Sequence, residues 1–251
     1  VKLITIKKIM KKIKIITLAL VAFIFSSCEK ETTTGGLSQV TNYPIITVDG
    51  ANPIFLPKGT AFVEPGVTAT EDGAEIDVVT SGSGAYRGDA AVNEEMPDRY
   101  DVVYTATNKD GYDGTAGRTV YVIETGDMVD NIAGLYKSTI VRNGESKFSD
   151  LGYVIVYKND DGAYGMSCAI GSYYENGVGY GATFNAPAII EANDIASNDF
   201  TFAPTSVTYA GWPWAINITD MVVDAGAKTI TMTSVWDIGY TFEVTLTQVE
   251  I

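Results

Sequence analysis

The sequence predicts an all-β protein in two parts, and three observations carry that prediction. Helical periodicity is hard to find after residue 28, whereas short β-branched and aromatic runs recur between clusters of Gly, Asn, Asp and Pro. The composition changes near Glu124-Thr125-Gly126-Asp127, and all three tryptophans, Trp212, Trp214 and Trp236, lie beyond that point. Several strand-like runs joined by short turns in the second part predict an antiparallel β-barrel or a compact β-sandwich.

In the first part the candidate strands are 45–48, 76–80, 100–107 and 118–123. The run from Tyr100 alternates Val102, Tyr104 and Ala106 with Val103, Thr105 and Thr107, the period of a half-buried strand. The second part opens with Ile132-Ala133-Gly134-Leu135-Tyr136. Its candidate strands are 153–158, 165–170, 179–184, 200–208, 216–223, 229–235 and 240–249. Lys158-Asn159-Asp160-Asp161-Gly162 and Asp224-Ala225-Gly226-Ala227-Lys228 read as hairpin turns, because Asn, Asp and Gly tolerate positive φ.

The N-terminus reads as a targeting segment. Lys2, Lys7, Lys8, Lys11, Lys12 and Lys14 precede an apolar run from Ile15 to Phe25 that is too short to span a bilayer stably. The run ends at Phe25-Ser26-Ser27-Cys28, which resembles the lipobox of bacterial lipoproteins. The resemblance implies cleavage of a signal peptide, residues 1–27, and lipidation of Cys28. Residues 28–43, beginning Glu29-Lys30-Glu31-Thr32-Thr33-Thr34, would form a polar tether. The expected location is therefore the outer membrane, at the cell surface, since the acidic Glu29-Lys30-Glu31 resembles the surface-export signals of Bacteroidetes lipoproteins.

Removing six of the 17 basic residues with the signal leaves eleven against 31 acids, a charge near minus twenty. Such a chain repels nucleic acid and anionic membrane surfaces, so the membrane contact expected is the lipid alone. With Cys28 acylated, Cys168 has no partner, and stability must come from packed cores.

Four blocks in the first part carry a second resemblance: Pro44-Ile45-Ile46-Thr47-Val48-Asp49-Gly50; Phe62-Val63-Glu64-Pro65-Gly66-Val67-Thr68-Ala69-Thr70; Tyr100-Asp101-Val102-Val103-Tyr104-Thr105-Ala106-Thr107; and Arg118-Thr119-Val120-Tyr121-Val122. In order and spacing they resemble the immunoglobulin-like repeats of bacterial surface proteins. This implies an N-terminal immunoglobulin-like β-sandwich over 44–124, followed by the C-terminal β domain over 128–251. The repeats usually carry Pro-Gly before the tyrosine that opens the penultimate strand, and Pro97-Asp98-Arg99 stands there instead. Tyr100 would be a tyrosine-corner residue, tying a loop to the sandwich. The C-terminal part, by its Gly134-Leu135-Tyr136 opening and its position, resembles surface lipoproteins encoded with glycan-uptake machinery in Bacteroidetes.

The absence of histidine removes Ser-His-Asp and Cys-His catalysis and histidine zinc sites. Glu94-Glu95, Glu175 and Glu191 do not form a spaced carboxylate pair, so no catalytic residue is assigned and the protein is not expected to be an enzyme. Cys168, between Met166, Ser167, Ala169 and Ile170, reads as a buried small hydrophobe. Asn108-Lys109-Asp110-Gly111-Tyr112-Asp113-Gly114 and Asn159-Asp160-Asp161-Gly162 lack the terminal glutamate of a calcium loop, so no metal and no cofactor is assigned.

The functional signal is aromatic. Trp212-Pro213-Trp214 and Trp236-Asp237-Ile238-Gly239-Tyr240 place indole and phenol rings beside turns, and such rings stack on the apolar faces of sugars. The same rings could instead fill the core or mouth of a barrel, and Trp236 continues the inward alternation Ile230, Met232, Ser234. The tyrosines and glycines of 164–180 read either as an adaptable recognition loop or, more plainly, as a twisted hairpin with glycine bulges. The expectation is a polysaccharide ligand at Trp212, Trp214, Trp236 and Tyr240, with adhesion to a surface protein or matrix partner as the alternative.

Overall fold

The computed structural model describes residues 40–209 and 211–251, and its strands form three sheets. Cys28 and the whole targeting segment lie outside the described residues. The first part contains β1 (Ile45–Val48), β2 (Ile54–Pro57), β3 (Val67–Glu71), β4 (Ala74–Ile76), β5 (Val79–Gly84), β6 (Asp98–Thr107) and β7 (Asp113–Ile123). They pair as β1-β3-β4 and β2-β7-β6-β5, all antiparallel except β2 against β7. The run at 76–80, expected as one strand, is cut at Asp77-Val78, where the chain leaves one sheet and enters the other.

The alternation along β6 sets this sandwich. Tyr100, Val102, Tyr104 and Ala106 are buried, and the first three pack with Leu56, Val120 and Val122. The Tyr100 hydroxyl donates to the carbonyl oxygens of Met96 (2.9 Å) and Asn93 (3.2 Å), the tyrosine-corner bond that ties down the loop before β6. Arg118, on the inward face of β7, is also fully buried. Its guanidinium donates to the carbonyls of Asp49 and Ala51 and to Glu64 (2.9 Å), so its charge and its donors are accounted for inside the core.

The second part is one antiparallel nine-stranded sheet. Its strands are β8 (Gly134–Arg142), β9 (Glu145–Lys158), β10 (Tyr164–Met166), β11 (Ala188–Asp194), β12 (Asp199–Phe202), β13 (Ser206–Tyr209), β14 (Trp212–Asp224), β15 (Thr229–Trp236) and β16 (Tyr240–Gln248), in the order β12-β11-β10-β9-β8-β16-β15-β14-β13. Register shifts along β8–β9, at Ile218/Asp220 and at Ala192/Asp194 mark bulges, which bend strands and curl the sheet. The two edge strands, β12 and β13, are joined by Ala203-Pro204-Thr205 alone. The barrel expectation is thus realised as a curled half-barrel whose edges approach without pairing.

What fills the half-barrel is not another strand. The expected strand 165–170 ends at Met166, and the expected strand 179–184 is a loop ending in a 3-10 turn, Ala182–Phe184. Between them Tyr164 to Tyr173 are buried without interruption and lead into a π-helical turn, Tyr173–Gly177, in place of the hairpin with glycine bulges. Loops normally run over surfaces because a buried backbone must find hydrogen-bond partners. Here two serines on the inner faces of strands supply them. Ser234 on β15 donates to the Ala169 carbonyl (2.6 Å), and Ser138 on β8 donates to the Gly171 carbonyl (2.7 Å). The Ala169 amide bonds the Ala186 carbonyl, and the Ser167 hydroxyl accepts the Ile155 amide at 3.0 Å. Gly171 has φ +65°, and a Cβ there would stand 2.9 Å from Val244 Cγ1, so glycine is the residue that fits.

The π-turn carries Glu175 to the face where the two parts meet. Its buried carboxylate accepts from Arg99 Nη1 (2.7 Å) and from the Tyr86 hydroxyl (2.6 Å), both from the first part. Burial, with the adjacent Glu175 charge, pushes the Tyr86 phenol far above its ordinary value and keeps it a donor. Around this triad Phe55, Tyr121 and Ile123 pack with Leu135, Tyr153 and Ile155, and the Phe55, Tyr121 and Tyr153 rings lie 5.1 to 5.6 Å apart. Asp98, in the position that departs from the usual Pro-Gly, accepts the backbone amides of Tyr86, Arg87 and Arg99, which fixes Tyr86 and Arg99 for this contact.

Ser234→Ala is expected to destabilise the protein by about 1–3 kcal/mol in urea denaturation, because the Ala169 carbonyl is left buried without its donor. A loss below about 0.5 kcal/mol, the level of an indifferent surface change, would show that the serine does not hold the segment.

Candidate functional site

The aromatic residues singled out in the sequence gather at one end of the half-barrel, but they divide into a core and a rim. Trp236 is 5% exposed, and it is the hub. The rings of Trp214 (5.6 Å), Tyr240 (5.8 Å), Tyr174 (5.5 Å), Tyr209 (5.8 Å) and Phe242 (6.5 Å) surround it, mostly edge to face. Its indole Nε1 is buried and has no hydrogen-bond partner among the described residues. Trp236 therefore faces inward and supports the rim from behind.

Trp212 is 69% exposed, and Trp214 and Tyr240 are half-buried. Both tryptophans project to one face because β14 is already extended at Trp212. In this segment β14 pairs with β13 alone, Tyr209 opposite Trp212 and Val207 opposite Trp214, since its pairing with β15 begins at Ile216. Pro213 is tolerated for that reason: its missing N–H faces no neighbouring strand. The Asp237 side chain accepts the Ala215 amide at 3.2 Å and ties the β15–β16 turn, which carries Tyr240, to the tryptophan strand.

The tyrosine- and glycine-rich stretch joins the same cluster. Tyr174 packs on Trp236 and Tyr209, while Tyr180, 57% exposed, packs on Phe184, which stacks on Tyr209 at 5.3 Å. Sequence reasoning had named the tyrosines of this stretch and the tryptophans separately; the structure puts them together. It missed Arg142, at the end of β8, whose guanidinium lies 4.8 Å from the centroids of both Tyr173 and Tyr240. An isolated arginine at a strand end gives no sequence signal of its own.

The remaining candidates lie elsewhere. Cys168 is fully buried, and burial pushes its thiol up to about 11, so the thiolate that reacts is not available at neutral pH. Glu175 is buried in the contact with Arg99, whereas Glu191 is exposed on β11. Glu94 accepts the Phe62 amide at 3.0 Å. In the two acidic turns Asn108 Oδ1 accepts the amides of Asp110 and Tyr112, and Asp161 accepts that of Ala163, which is turn chemistry. Among the described residues no three His, Cys, Asp or Glu side chains cluster as metal ligands would.

The division into core and rim has separate consequences for stability. Trp236→Ala is expected to cost about 3–5 kcal/mol, as large aromatic deletions in a core do. Trp212→Ala should stay within about 0.5 kcal/mol of the parent in the same denaturation experiment. A large loss on removing Trp212 would make it a packing residue rather than a surface one.

Comparison with known proteins accords with this architecture. Residues 46–122 match the family model described as bacterial surface protein, Ig-like domain, and residues 125–248 match a model described as a C-terminal domain. No curated protein matches the sequence. Among solved structures, the lipoprotein BT2262 from Bacteroides thetaiotaomicron is similar, with a TM-score of 0.62 and 26% identity, over 82% of this chain and 100% of that one. The matched domains are surface-protein domains of no known catalytic family. The chain thus matches, in tandem, the models of a bacterial surface protein Ig-like domain and of a C-terminal domain, and it is similar over most of its length to that Bacteroides lipoprotein.

Proposed function

We propose that the protein is a non-catalytic lipoprotein, anchored in the outer membrane through Cys28 and exposed at the cell surface, that binds a glycan at the aromatic rim. The immunoglobulin-like domain serves as the spacer between anchor and binding domain. The observation that carries the reading is Trp212, a large apolar ring 69% exposed on the same strand face as half-buried Trp214, which with half-buried Tyr240 is backed by the buried indole of Trp236. Exposed rings on a rigid backing suit a sugar, whose apolar face stacks on them at small entropic cost. The lipobox-like Phe25-Ser26-Ser27-Cys28 and the similarity to a Bacteroides lipoprotein support the anchor. The strongly acidic composition supports a site that engages neither nucleic acid nor anionic lipid headgroups.

Intrinsic tryptophan fluorescence, titrated with plant, host and microbial polysaccharides, tests the reading. At least one polysaccharide should quench or shift the emission saturably, and Trp212→Ala should weaken that binding about tenfold or more while the protein stays folded. Emission that responds to no polysaccharide would move the assignment to a protein or matrix partner.

A further inference from the structure

Resting on the glycan-binding reading, the charge distribution at the rim narrows the ligand class. Ten lysines and arginines lie among the described residues of this acidic chain. Seven of them, Lys58, Arg99, Lys109, Arg118, Lys137, Lys147 and Lys228, pair with a carboxylate within 4.0 Å. Arg142 is not one of these. The acid opposite it in the β8–β9 register, Glu145, is engaged by Lys147. Its hairpin position is fixed all the same, because the neighbouring Asn143 exchanges hydrogen bonds with Thr241 through both its backbone amide and its side chain.

Two rings lie beside Arg142, and its guanidinium also reaches the Tyr174 hydroxyl, which takes up part of its donor set. The guanidinium carbon lies over the Tyr173 and Tyr240 rings, 4.8 Å from each centroid, and a guanidinium carries five N–H donors in its plane. The cation–π contacts thus hold the group in place, and the donors beyond the one at Tyr174 remain for a carboxylate. One of the rings, Tyr240, also packs at 5.8 Å on Trp236, which in turn backs Trp214. A cation with no carboxylate within 4.0 Å among the described residues therefore stands beside the rings that would hold the sugar. The net negative charge of the chain opposes a polyanion at long range, but this repulsion is largely screened beyond about 8 Å at physiological salt, so the contact depends on the local charge at Arg142.

We propose that the rim takes a carboxylate-bearing glycan, one containing a uronic acid or a similar acidic sugar. The carboxylate pairs with the in-plane edge of Arg142, and neighbouring sugar faces stack on Tyr240 and the exposed tryptophans.

The test compares polygalacturonate, alginate and hyaluronan with their carboxyl-reduced counterparts, titrated into the protein and into Arg142→Gln and Arg142→Lys. At least one acidic form should bind about tenfold or more tightly than its reduced form. Arg142→Gln should erase that preference while keeping the weaker binding of the reduced form. Arg142→Lys, which retains the charge but not the planar fork, should fall between them and shows whether the strand end tolerates substitution. Equal binding of acidic and reduced forms, or a preference that survives Arg142→Gln, overturns this inference and leaves the glycan-binding reading standing. Failure of the protein to bind any form, together with no response to the wider polysaccharide panel, overturns both.

Discussion

A buried backbone segment has to be paid for in hydrogen bonds, and the run from Tyr164 to Tyr173 is where this constraint is most demanding. A sheet that curls through bulges without closing leaves an interior too wide for its own side chains. The chain fills it with itself. Two serines at inward strand positions, Ser138 and Ser234, donate to the Gly171 and Ala169 carbonyls of this run. Gly171 lets the backbone pass against Ile140 and Val244. The aromatic hub rests on the same segment, since Tyr173 and Tyr174 leave it to pack on Phe242 and Trp236.

The segment also governs how the two domains are held. Glu175 emerges from the π-turn directly into the contact with Arg99 and Tyr86, so ordering the half-barrel interior and fixing the immunoglobulin-like domain are linked events. An ion pair buried in this way adds little net stability when intact, yet removing Glu175 takes the buried acceptor from Tyr86 and leaves Arg99 with Asp101 alone, which is destabilising. Its effect is to make one arrangement of the domains much better than its neighbours, while the Phe55, Tyr121 and Tyr153 rings supply the apolar contact.

Much of the fold was legible in the sequence because it is written in local patterns. The alternation through Val102, Tyr104 and Ala106 gave β6, and the Asn- and Asp-rich turns fell between β9 and β10 and between β14 and β15. The filling segment was not legible, because a continuous apolar run such as Met166 to Ile170 looks the same whether it pairs as a strand or lies inside a barrel. The signal that existed was Ser234, a hydroxyl at an inward position of the series Ile230, Met232, Trp236, which implies an acceptor opposite it. At the candidate site the residue types were legible and their exposure was not. Trp236 and Trp212 are the same side chain, separated by strand register alone, and Arg142 enters only because the β8 and β16 strands pair.

Scanning calorimetry of the protein and of Glu175→Ala tests most directly whether the filled half-barrel and the immunoglobulin-like domain form one unit. A single cooperative transition in the parent, splitting or falling markedly in temperature when Glu175 is removed, is the expected result. Two independent transitions in the parent, unchanged by the substitution, would contradict it.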